Sequence, residues 1–320
     1  MDETTDQRLL TAVIPAELAG ERFDQALARL FPEFSRSRLQ QWIREGRAVV
    51  EGGVRRPRDR VLEGEHVELC ARAEPLTEVQ GQEIPLDIVY QDSVLLVIDK
   101  PAGLVVHPAA GNRDGTLQNA LLHYDPSLAV VPRSGLVHRL DKDTSGLLVV
   151  ARTLESHKVL VDALQARLIE REYRAVATGV VTVGGKVDAP IGRHPSQRTR
   201  MAVVPGGRPA VTHYRVLERY RAHTYLKLTL ETGRTHQIRV HMAQIRYPLV
   251  GDPVYGGRLR LPAGATPELV AALRGFKRQA LHAARLALDH PLSGERMEWR
   301  SPLPEDMSEL LRVLREDAQA

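Results

Sequence analysis

The sequence contains a single cysteine, Cys70, which excludes an intramolecular disulfide and any multi-cysteine zinc site. Aromatic residues make up only 4% of the chain, and no apolar run approaches the ~20 residues needed to span a bilayer. The start, Met1-Asp2-Glu3-Thr4-Thr5-Asp6, is acidic where a secretory signal is basic and then apolar. Heptads, exposed apolar stripes, internal repeats and low-complexity tracts are also missing. These absences point to a cytoplasmic, membrane-free protein in a reducing compartment, expected to be a monomer. Cys70 reads as a small core residue.

With 320 residues, 43% of them hydrophobic, the chain can bury the core of one large domain and one small one. A net charge of +4 adds weight to a polyanionic partner, and its distribution adds more. Arg36, Arg38, Arg44, Arg47, Arg55, Arg56, Arg58 and Arg60 are opposed locally only by Glu45, Glu51 and Asp59. Such clustering favours phosphate contacts.

Residues 1–11 are polar and offer no apolar face, so disorder is expected there. Phe23, Ala26, Leu27 and Leu30 have helical spacing, ended at Phe31-Pro32. A second helix, capped by Ser35 or Ser37, carries Leu39, Trp42 and Ile43 inward and stops at Gly46. Short strands follow at Ala48-Val50 and His66-Leu69. Two helices and small strands, with arginines on the second helix, resemble an alpha-L (S4-like) RNA-binding module over residues 12–70. The alternative is that these arginines are merely a solvated helix face. Residues 71–84 have neither period and read as a linker.

Residues 85–320 form an α+β pattern. Strands are expected at Val94-Ile98, Leu147-Ala151, Thr224-Leu230, Ile238-Val240 and Arg285-Leu288, with a hairpin at Pro291-Gly294. Helices are expected at Ser156-Leu168, at Pro267-Leu273 and from Pro304.

The segment Gly135-Leu136-Val137-His138-Arg139-Leu140-Asp141-Lys142-Asp143-Thr144-Ser145-Gly146 packs charge between apolar flanks, with a strand behind it that can hold a carboxylate rigidly in a cleft. Read alone, Asp141-Lys142-Asp143-Thr144 also fits the Asp-x-Asp-x-Thr of magnesium-dependent phosphotransferases. That chemistry wants its strand before the first aspartate and further carboxylates downstream. Here the apolar run follows, and Gly251-Asp252-Pro253 offers only one. A zinc site at His138, His236 and His241 fares no better, since a spacing of five suits neither a helix face nor a strand side.

Gly135 to Ala151 resembles the signature of the RluA-type family of pseudouridine synthases. Arg171-Glu172-Tyr173-Arg174-Ala175 and Leu230-Glu231-Thr232-Gly233-Arg234-Thr235-His236-Gln237-Ile238-Arg239-Val240-His241 resemble its two other segments, in order. Further likeness runs through Leu104-Val105-Val106-His107-Pro108, Thr212-His213-Tyr214 and Gly251-Asp252-Pro253-Val254-Tyr255-Gly256-Gly257.

The resemblance implies a pseudouridine synthase fold with a mixed, mostly antiparallel sheet and flanking helices, acting without cofactor or metal on RNA. It implies 23S rRNA as substrate, at a stem-loop facing the small subunit. Asp141 would be the catalytic carboxylate, as nucleophile at C1′ or as base toward the 2′ proton, with Arg239 as its counter-charge. Tyr173 would stack on the target base and help remove the C5 proton, and Ile238 would line the uracil pocket. Arg139 would fill the space left by the extruded nucleotide. His138, Arg234, Arg36, Arg38 and Arg44 would contact RNA. A non-catalytic RNA-binding or ribosome-assembly factor is the alternative, disfavoured by intact Asp141, Tyr173 and Arg239.

Overall fold

The computed structural model describes residues 7–34, 36–72, 79–109, 112–197 and 199–320. The chain begins with β1 (Gln7–Val13), α1 (Phe23–Leu30), α2 (Arg36–Arg44), β2 (Ala48–Val50), β3 (Gly53–Val54) and β4 (His66–Arg72). The four strands form one sheet in the order β1-β4-β2-β3. Phe23, Ala26 and Leu27 of α1 meet Leu39, Trp42 and Ile43 of α2 in its core. This is the helical stripe the spacing predicts.

Two expectations change here. From Gln7 onward the supposed disordered start is β1, paired with β4 from Gln7↔Arg72 to Val13↔His66. Leu9 on it is 64% exposed, while Leu10 and Ala12 pack against the core, so the ladder and one small apolar face together hold this edge strand. The expected linker is also partly ordered. Ala71 and Arg72 extend β4, and beyond residue 78 the chain is tied to a helix, with Asn119 Nδ2 donating to Gln80 O at 2.8 Å. Residues 1–6 and 73–78, the proposed cap Ser35 and the side chain of Ser37 lie outside the described residues. Cys70 is half-buried.

The rest of the chain runs β5 (Ile88–Gln91), β6 (Leu95–Lys100), α3 (Leu117–Tyr124), β7 (Ser145–Ala151), α4 (Leu154–Gln165), β8 (Glu170–Thr178), β9 (Gly185–Asp188), β10 (Ile191–Arg193), β11 (Met201–Val203), β12 (Val211–Arg219), β13 (His223–Leu230), α5 (Gln237–Gln244), α6 (Pro267–Gly275), β14 (Leu281–Asp289), β15 (Arg296–Arg300) and α7 (Glu305–Gln319). Among the described residues nine strands make one sheet, β5-β6-β7-β14-β8-β13-β12-β9, with β15 added beside β14. Among the strands of this sheet that the described residues form, only β7 and β14 pair in parallel. The architecture is α+β around a mixed, mostly antiparallel sheet.

Strand β7 lies between two cores. Leu148 and Val150 face one that includes Tyr173 and Ile238. Leu147, Val149 and Ala151 face the other, with Leu160 and Trp299. Burial on both sides explains the unbroken apolar run after Asp141.

At the start of β7, Gly146 has φ +112, and a Cβ there would stand 2.3 Å from the carbonyl oxygen of Ala283 on β14. The three nearest atoms, O, N and C of Ala283, are all backbone and cannot step aside. Gly146→Ala is therefore expected to destabilise the protein by roughly 3 kcal/mol or more. Urea unfolding checks this, and a variant as stable as wild type would contradict it.

The segment Ile238–Val240, expected as a strand, lies within α5. His236 enters it in the left-handed conformation, φ 57. Gln237 to Met242 are all buried, so neither a two- nor a 3.6-residue alternation can show. Tertiary burial overrides the strand preference of Ile238 and Val240.

Candidate active site

Asp141 sits in the loop that leads into β7, and successive carbonyls of that loop are pinned. Asp141 O accepts from Thr144 N at 3.0 Å, and Lys142 O from Gly103 N at 3.0 Å. Lys100 Nζ donates to Lys142 O at 2.9 Å, and Arg278 Nη1 to Asp143 O at 3.2 Å. Gln279 Nε2 closes the turn on Thr144 Oγ1 at 3.0 Å. The carboxylate thus projects from a rigid support.

Lys100 is fully buried and also donates to Pro101 O at 2.7 Å and Leu104 O at 2.9 Å. Burial pulls its ammonium down to about 7, against the charges of Asp143 and Asp141. An unfolded lysine keeps its proton to about 10.4. Between those values the unfolded chain binds the extra proton, so folding gains stability as pH rises through that window. Lys100→Met removes this dependence. The stability advantage of wild type over the variant is expected to widen by up to about 3 kcal/mol between about pH 7 and pH 9.5. Urea melts at the two pH values measure it, and an advantage that shrinks with pH would overturn the assignment.

Opposite Asp141 stands Arg239, from the first turn of α5. Its Nη1 donates to Asp141 Oδ2 at 3.0 Å. Its Nε and Nη2 fork onto Asp252 Oδ2 and Oδ1 at 2.7 and 2.9 Å. Asp252 Oδ1 also accepts from the backbone of Val254 and Tyr255, both at 2.9 Å. Burial pushes the Asp252 carboxyl upward, but Arg239 and these amides outweigh it and hold it below the usual range. Tyr255 completes the clamp, its ring 5.1 Å from the Arg239 guanidinium and its hydroxyl 2.8 Å from His236 Nδ1. The guanidinium is fixed by a buried anion on one side and offers one N–H to Asp141 on the other.

His138, Arg139, Asp141, Tyr173, Arg234, Ile238 and Arg239 all line one cavity of about 650 Å³. Tyr173 and Ile238 are 5% and 4% exposed. Burial raises the Tyr173 phenol above its ordinary value. Arg139 is exposed at the rim, and Arg234 Nε is held by Pro209 O at 3.1 Å.

Other expected RNA contacts fare differently. His138 Nε2 accepts from Val149 N at 3.2 Å, and burial pushes its pKa down to about 3. It anchors the loop to the strand while also lining the cavity. Arg36 is paired with the buried Asp24 at 2.7 Å. Arg38 is 6% exposed and lies over the Trp42 ring at 5.0 Å. Of the three α2 arginines, Arg36 and Arg44 are exposed, Arg36 held by Asp24 and Arg44 with a 3.5 Å contact to Gln40. The stripe that buries Trp42 also carries Arg38 inward, which a count of charges does not reveal.

The three histidines weighed as zinc ligands are separately engaged. His138 is on Val149, His236 on Tyr255, and His241 on Thr212 and Ala189. Among the described residues no group of three potential ligands converges. Sequence reasoning missed Asp252 as the anchor of Arg239. Its segment had been noticed, but the aspartate was weighed only as a magnesium ligand.

This fold and this carboxylate–guanidinium cavity coincide with what the comparisons find: the chain belongs to the RluA-type family of RNA pseudouridine synthases, which are isomerases. Residues 94–244 match the RNA pseudouridylate synthase family and residues 21–67 the S4 domain. The chain is 62% identical over 309 residues to the ribosomal large subunit pseudouridine synthase D of Pseudomonas aeruginosa, covering 97% of each protein. It is 59% identical over 316 residues to the protein of that name from Xanthomonas campestris pv. campestris, covering 99% of this chain and 96% of that one. Among solved structures, human RNA pseudouridylate synthase domain containing 4 aligns with a TM-score of 0.56 at 26% identity, over 72% of this chain and 93% of its own. Its human counterpart, domain containing 1, gives 0.53 at 25% identity over 73% and 96%. Among the described residues no helix is long and apolar enough to cross a membrane.

Proposed function

We propose that this protein isomerises uridines to pseudouridine in 23S rRNA, in a stem-loop at the subunit interface, with Asp141 as the catalytic carboxylate and no cofactor. The observation that carries the reading is the Asp141–Arg239–Asp252 chain of charge-assisted hydrogen bonds at the wall of a cavity of nucleotide size. The names and 57–62% identities of the relatives support large-subunit rRNA as the target.

The reaction breaks the N1–C1′ bond, turns the base and joins C5 to C1′, after which C5 loses its proton, with help from Tyr173, and N1 takes one up. Asp141 acts on the sugar, either attacking C1′ or taking the 2′ proton, and Arg239 holds it aimed through its Nη1 donation. Tyr173, its phenol kept protonated by burial, stacks on the target uracil, and Ile238 closes the pocket. Extruding a uridine from folded RNA costs a few kcal/mol of stacking, and Arg139 at the rim offsets it by occupying the vacated space. Arg234 and Arg44 contact phosphates. The unit ending near residue 72 acts as the RNA-holding module and residues from about 85 as the catalytic domain, in a cytoplasmic monomer.

Mapping of pseudouridines in large-subunit rRNA from cells with and without the protein tests the target. A small set of uridines in one stem-loop is expected to lose modification. An unchanged large-subunit map would sink the assignment.

A further inference from the structure

Arg171 lines the same cavity yet is only 9% exposed, and its Nε is buried without a partner. Among the described residues its guanidinium makes no hydrogen bond or ion pair. Of the other cations around Asp141, Lys100 is held by three carbonyls, Arg278 by Asp306 and Arg239 by two aspartates, while Arg139 is exposed at the rim. A buried guanidinium N–H without an acceptor is costly, and the cavity that Arg171 lines is where a ligand can supply one.

Its position says which ligand. Arg171 and Tyr173 are two residues apart on β8 and so project to the same side of the sheet. The loop between β13 and α5 passes over the guanidinium. A Cβ at Gly233 in that loop would come within 2.7 Å of Arg171 Nη1, so the missing side chain leaves this guanidinium its space. The same loop leads into Ile238 and Arg239.

Breaking N1–C1′ leaves the bonding electron pair on uracil N1, delocalised onto O2 and O4. This is so whether Asp141 attacks C1′ or removes the 2′ proton. Either route needs a counter-charge at the departing ring, and Asp141 and Arg239 serve the sugar side. We propose that Arg171 is the uracil-anion subsite of this cavity, its guanidinium meeting the charge that develops on the ring as the glycosidic bond breaks. The proposal rests on the reading of Asp141 given above. Charge stabilisation by one preorganised donor in a water-poor site is worth about 10²–10³ in rate. Because the uridine in the ground state is neutral, the effect belongs to the rate and not to RNA affinity.

The test is single-turnover cleavage and RNA affinity for the full chain, using an RNA stem-loop bearing uridine or 5-fluorouridine at the target. The fluorine withdraws charge and lessens the need for a cation. Arg171→Met is expected to lower the uridine rate about 100-fold, and the 5-fluorouridine rate by about tenfold, with RNA affinity within about threefold. Arg171→Lys is expected to recover part of the loss. Gly233→Ala, which displaces only the flexible end of Arg171, is expected to show the same substrate pattern, smaller in size. Equal losses on both substrates, or a loss confined to affinity as a phosphate-binding arginine would give, would overturn the proposal. Asp141→Asn run in parallel separates the two levels. If it is inactive, a failure concerns Arg171 alone, and if it is active, the reading of the whole site fails.

Discussion

Asp141→Asn is expected to lower the single-turnover rate of pseudouridine formation at least about ten-thousandfold while RNA affinity stays within about threefold. The amide has nearly the shape of the carboxylate but neither attacks C1′ nor accepts the 2′ proton, so both routes close together. Folding should survive. Arg239 keeps its fork to the fully buried Asp252, and the loop carbonyls that hold residue 141 are backbone groups. A change in unfolding free energy below about 1 kcal/mol is expected. An Asp141→Asn protein within tenfold of the wild-type rate would contradict the role.

Arg239→Lys carries the second large effect, because it preserves charge and removes geometry. The arginine spans two carboxylates with three N–H groups, and an ammonium on a shorter reach cannot satisfy both. If the lysine stays on Asp252, Asp141 loses its aim. If it moves to Asp141, Asp252 is left buried without its cation. The expected result is a fall of about 10²–10³ in rate together with about 3 kcal/mol of lost stability. Single-turnover kinetics and urea unfolding on the same preparation measure the two. Loss of rate with full stability would mean that Asp252 does not depend on Arg239.

How far the site was legible depends on how local its causes are. The segment around Asp141 could be read because its charge, small turn residues and following strand are contiguous. Strand β7 could be read because both of its faces are buried, which makes it continuously apolar. Helix α5 could not, since burial all round erased its period. Arg239 and Asp141 are 98 residues apart, and only resemblance to a family paired them. Asp252 was seen without its partner because its clamp on Arg239 exists only once the β13–α5 loop is folded. The buried Lys100 left no mark at all, since three backbone carbonyls hold it and no residue type signals a carbonyl.

The arginine-rich N-terminal stretch shows the opposite failing, a signal read too generously. Arg55 is paired with Glu65 and Arg36 with Asp24, acids that lie outside the arginine-rich stretch itself. Sequence proximity overstated the free charge of the module, and tertiary pairing reduced it.

The most direct test is to incubate purified protein with unmodified large-subunit rRNA in excess chelator and analyse the nucleosides. Pseudouridine is expected to accumulate with wild type and to be absent with Asp141→Asn. Absence of pseudouridine with wild type, or its formation by the variant, would contradict the assignment of Asp141 as a carboxylate that isomerises uridine unaided.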